Sequence, residues 1–131
     1  MMNNKGVALL LALFTLLIIA LLVVAFLETT AIDLQIVSNQ LNRNRALYVA
    51  DAGVEYAVSC LKTSKANINN YSAQLPSGSG NTYSVTYVSS SGIITSTGTL
   101  ASGESVKLGA KVSVTGSSSP FTVKILYWRE L

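Results

Sequence analysis

The sequence predicts an α+β fold in which one long N-terminal helix, half transmembrane and half amphipathic, packs on a four-stranded antiparallel meander sheet. Three observations predict it. Val7 to Leu27 is apolar throughout except for Thr15. Helical periodicity continues beyond it to about Leu61, with no Pro before Pro76 and no Gly between Gly6 and Gly53. Segments of alternating apolar and polar residues then follow, separated by short turns.

The apolar run comes first. A hydrocarbon core of about 30 Å needs about 20 apolar helical residues, and Val7 to Leu27 supplies them. A cleaved secretory signal has a shorter apolar core, so this run suits an anchor better. Lys5 precedes the run, and Glu28 and Asp33 follow it, which favours a cytoplasmic N-terminus and an exported C-terminal part.

Beyond residue 27 the pattern becomes amphipathic. Leu34, Val37 and Leu41 make one stripe, continued by Leu47, Ala50, Val54, Ala57, Val58 and Leu61. A helix from Val7 to Leu61 would be about 80 Å long at 1.5 Å per residue. Its apolar half needs lipid or other such helices, and its amphipathic half needs a domain to cover it.

Residues 63–81, rich in Ser, Asn and Gly, read as a connecting loop. Tyr83, Val85 and Tyr87 alternate with Ser84 and Thr86 as a first strand, and Gly92 to Leu100 make a second. Val106, Leu108, Ala110, Val112 and Val114 alternate with Lys107, Lys111 and Ser113 as a third. Phe121, Val123, Ile125 and Tyr127 form a fourth, opposite Thr122 and Lys124, with Trp128 out of phase with Tyr127. Short turns make the sheet an antiparallel meander with one apolar face.

Composition argues against an enzyme. His is absent, which removes the commonest general base and metal ligand, and the single cysteine, Cys60, excludes an internal disulfide. The net charge of +3 comes from nine basic and six acidic residues placed singly, with no direct nucleic-acid signal. Asp51 and Glu55 share a helix face, but no third ligand or base accompanies them. They read, with Arg43 and Arg45, as candidate intersubunit charge contacts. No catalytic residue, cofactor or metal is expected. Asn70-Tyr71-Ser72 matches a glycosylation sequon in the loop.

Three segments carry a resemblance: KGVALLLALFTLLIIALLVV at Lys5 to Val24, RALYVADAGVEYAV at Arg45 to Val58, and GIITSTGTL at Gly92 to Leu100. In this order the chain resembles type IV pilins and type II secretion pseudopilins, in particular a minor pilin with a prepilin-type leader. The resemblance implies a leader at 1–6, cleaved between Gly6 and Val7 by prepilin peptidase, with N-methylation of Val7. It implies a transmembrane and filament-core helix at 7–27 and an amphipathic helix at 28–62. The loop and sheet at 63–131 would form the globular head. Filament-core contacts would involve Leu11, Thr15, Leu34, Val37 and Leu41. Implied partners are other pilin subunits, an inner-membrane assembly platform, and lipid before assembly. The chain would lie in the inner membrane with its N-terminus in the cytoplasm, then in a surface or periplasmic filament.

Two positions depart from the major pilins. Their Glu at the fifth mature position is Leu11 here, and their Pro near the twenty-second is Glu28. The first departure favours a minor, priming or tip-proximal subunit. The rival reading is a single-pass, membrane-anchored extracytoplasmic binding module that never joins a filament.

Overall fold

The computed structural model describes the backbone of residues 4–131 and the side chains of 5–131. Met1, Met2 and Asn3, half of the expected leader, lie outside the described residues. Helix α1 spans Asn4–Thr63, and five strands follow: β1 (Ile68–Gln74), β2 (Thr82–Val88), β3 (Ile93–Thr99), β4 (Ser105–Thr115) and β5 (Thr122–Glu130). The fold is α+β, as expected. The chain divides into two units at Asn39/Gln40, so the C-terminal part of α1 belongs with the sheet.

From Asn4 to Asn39 the first unit is helix alone. α1 is long and apolar enough to cross a membrane. Thr15, the polar residue within the run, donates its hydroxyl to the Ala12 carbonyl at 2.9 Å, and Thr29 and Thr30 do the same to Ala25 and Phe26. Each hydroxyl is thereby satisfied within its own helix, which is what an apolar surrounding demands.

The second unit holds the core. Its five strands pair antiparallel in the order β1-β2-β3-β4-β5, a pure meander. Ala46, Val49, Ala50, Val54, Ala57, Val58 and Leu61 turn one face of α1 onto Tyr83, Val85, Tyr87, Ile94, Val106, Leu108, Ala110 and Val112. Leu61, Ile94, Leu108, Val54 and Val85 are the largest fully buried apolar side chains, each stabilising by roughly 1.5–3 kcal/mol. The helix closes at Thr63 with two of its end carbonyls, those of Cys60 and Lys62, occupied. The Ser64 N–H bonds the Cys60 carbonyl at 2.9 Å, and the Phe121 N–H bonds that of Lys62 at 2.7 Å.

Two features correct the expected sheet. It has five strands rather than four, because Ile68–Gln74 pairs with β2 where the sequence reads as loop. This edge strand lacks alternation: only Ile68 and Ala73 of its residues are half-buried. Its order comes from β2 and from Tyr71, which stacks on Tyr56 with ring centroids 4.2 Å apart. The sequon therefore lies in a strand, and Asn70 takes a left-handed φ of 48° where the β1–β2 register shifts.

The second correction concerns β5. Its register with β4 shifts between Lys111 and Val112, so Val112 pairs with Ile125 while Lys111 pairs with Tyr127. Leu126 is the extra residue of a β-bulge. Beyond it the faces exchange: Trp128, paired with Ala110, joins the helix-facing side, and Tyr127 moves to the opposite one. Tyr127 is thus not core; it is 48% exposed. Strict alternation extrapolated through the strand misses this.

Candidate functional site

Among the described residues, no group of three His, Cys, Asp or Glu side chains could hold a metal ion. The residues singled out from the sequence fall on surfaces of the two units. The first lies on the N-terminal unit. Lys5, Gly6 and Val7 fall within the first turns of α1, Val7 is 41% exposed, and open space surrounds Gly6. Leu11 and Thr15 are exposed, and so are Leu34 and Val37. Of the stripe expected to continue onto the sheet, Leu41 is also exposed, and burial begins only at Ala46. Apolar side chains from Val7 to Leu27 are exposed on every side of the helix.

The charged candidates lie on the second unit and separate into two groups. Arg43 is engaged within its own chain: Nη2 donates to both carboxylate oxygens of Glu130 at 2.8 Å. That hydrogen bond, followed by the charge of Glu130, raises the Arg43 pKa further. The bulge makes the contact, since it turns Glu130 to the helix-facing side. Arg45 and Glu55 are exposed and Asp51 is half-buried, and among the described residues none of the three forms an ion pair.

Two further groups were not legible from the sequence. Glu104, in the β3–β4 turn, accepts from Ser102 and, at 3.1 Å, from Asn42 Nδ2. The Ser102 hydroxyl, the Glu104 backbone and Asn42 together hold the carboxyl below its ordinary range. Tyr56 sits beside Cys60 and Tyr71. The Cys60 hydrogen bond first, then burial and Tyr71, push its phenol above the usual tyrosine value. Cys60 is a free, half-buried thiol.

Two of the three segments that carry the resemblance, Arg45–Val58 and Gly92–Leu100, meet in space. Ser96, the buried polar residue of the core, donates its hydroxyl to the Ala50 carbonyl at 2.6 Å. A Cβ on Gly98 would collide with the backbone of Ala46 and Ala50, and one on Gly53 would reach Ser96 and Tyr83. Small residues on both elements let helix and strand approach closely. Arg45–Val58 and Gly92–Leu100 are thus two halves of one packing contact. Comparison of the chain with protein-family models, with curated proteins and with solved structures finds no match.

Proposed function

We propose that the chain is a filament-forming subunit of the type IV pilin and pseudopilin kind, inserted in the inner membrane and then assembled into a surface or periplasmic filament. The observation that carries this reading is the unbroken helix Asn4–Thr63, apolar all round over Val7 to Leu27, with a buried sheet-packing face that begins at Ala46. Twenty-one consecutive residues, Val7 to Leu27, expose their side chains on a run that is apolar but for Thr15 and need an apolar partner. Lipid serves before assembly, and the same helices of neighbouring subunits serve after it. Leu34, Val37 and Leu41 extend that surface.

The role is that of a minor subunit, priming or tip-proximal, rather than the main building block. Leu11 stands where building-block pilins place a carboxylate, which in the filament core would neutralise a neighbour's N-terminal amine. A buried, unpaired amine is expensive, so repeated stacking of this chain is disfavoured. The subunit does no catalysis and needs no cofactor; prepilin peptidase and an assembly platform act on it. Shearing cells and probing the released fibres tests this. A filament subunit appears there at low copy number, shortened by the leader. An anchored binding module stays in the membrane fraction with its N-terminus intact.

A further inference from the structure

Four of the nine basic residues, Lys107, Lys111, Lys124 and Arg129, lie on one face of β4 and β5. Val106, Leu108, Ala110 and Val112 are buried against the helix, so Lys107, Gly109 and Lys111 lie on the other side of the sheet. Cross-strand partners share a face, and Gly109 pairs with Arg129, Lys111 with Tyr127, and Ser113 with Lys124. Lys107, Arg129, Lys111 and Lys124 therefore form a row that alternates between the strands. Each step is two residues, about 7 Å along the strand direction.

The bulge at Leu126 builds this row. Lys124 and Arg129 are five positions apart and would fall on opposite faces of a regular strand. The extra residue brings both to one side and sends Glu130 to the other, where Arg43 holds it. Among the described residues no Asp or Glu side chain lies on the face: Asp51 and Glu55 are on α1, and Glu104 is bonded to Asn42 of α1. Between the cations lie the half-exposed ring of Tyr127 and the side chain of Leu131, which rests on Gly109.

We propose that this face binds single-stranded nucleic acid. A compact anion needs donors that converge, whereas these cations are spread along a line and suit a polymer carrying a charge per repeat. Tyr127, level with Lys111 in that line, offers a flat ring on which a base stacks, and an exposed sheet face admits splayed bases. An acidic glycan would use the cations and leave the ring idle. The proposal does not rest on assembly into a filament.

The test uses the full chain in neutral detergent and a labelled oligothymidylate of about 16 nucleotides, read by fluorescence anisotropy between about 50 and 200 mM salt. Four phosphate contacts give a log–log salt slope of about −2.8, and Lys111→Ala with Lys124→Ala reduces it to about −1.4. Tyr127→Ala weakens binding at least about fivefold and leaves the slope unchanged. Lys62→Ala, on the helix, changes neither. Circular dichroism confirms that each variant is folded. The proposal is overturned if the folded wild type does not bind at the lowest salt, or if the slope ignores the double variant. It is equally overturned if Tyr127→Ala has no effect and a sulfated glycan binds as well as the oligonucleotide.

Discussion

The hydroxyl of Ser96 on β3 donates to the Ala50 carbonyl on α1 at 2.6 Å, in the part of the core where both residues are fully buried. The carbonyl also belongs to the helix ladder, so Ser96 is satisfied without breaking a turn of α1. The contact depends on Gly98, two residues along, where the helix backbone leaves no room for a side chain: an added Cβ would lie 3.0 Å from the Ala50 Cα. Gly98→Ala is expected to push helix and sheet apart and to destabilise the second unit by about 1–3 kcal/mol or more. Ser96→Ala is expected to lose only about 0.5–1.5 kcal/mol. Chemical denaturation of the two variants checks that order, and equal losses would show that close approach is not what the glycine provides.

Leu108 is fully buried on β4, at the middle of the helix–sheet contact. Leu108→Ala is expected to cost about 2–5 kcal/mol, a large part of a small domain's stability. Thermal unfolding followed by circular dichroism measures it. An unchanged midpoint would contradict the packing described.

Glu104 carries a pH dependence. Its folded pKa is held below the ordinary value of 4.5 by Ser102, its own backbone and Asn42. The folded chain therefore binds this proton less readily than the unfolded chain does. Its contribution is complete above the unfolded pKa and is lost as pH falls through the folded one. Stability should decline below about pH 4.5, and the decline should be shallower in Glu104→Gln. Identical acid profiles for the two proteins would show that Glu104 gains nothing from its partners.

Much of this fold was legible in the sequence, and the exceptions share a cause. α1 is governed by local signals: the apolar run, the absent helix breakers and the 3.6-residue period. β2, β3 and β4 alternate cleanly because one face of each lies under the helix, and Val54, Val106, Leu108 and Val112 are buried together as their spacing implies. β1 has no such pattern, since an edge strand of amides and a tyrosine is ordered by its neighbour's backbone and by a ring stack. The bulge at Leu126 leaves no mark in composition, yet it decides where Tyr127, Trp128, Arg129 and Glu130 point. Arg43 illustrates the consequence. Its partner lies 87 residues away in its own chain, and spacing alone gives no sign of it.

Leu11 tests the assigned role. If the proposed cleavage after Gly6 occurs, Leu11→Glu places a carboxylate at the fifth mature position, where it would pair with a neighbour's amine in the proposed filament core. The variant is expected to enter the shaft more often than the native chain, and deletion of the native chain is expected to reduce filament number without altering shaft symmetry. Quantitative mass spectrometry of sheared filaments measures the first, and electron microscopy the second. If native filaments consist mainly of this chain, the minor role fails while the filament reading stands.

The central claim is that the apolar half of α1 is kept as an assembly element while the short polar leader is removed. Mass spectrometry of the N-terminus of the chain in sheared surface fibres tests it most directly. The account predicts a chain that begins at Val7 with a methylated amine. A chain in those fibres that still begins at Met1, or one confined to the membrane with its leader intact, would contradict it.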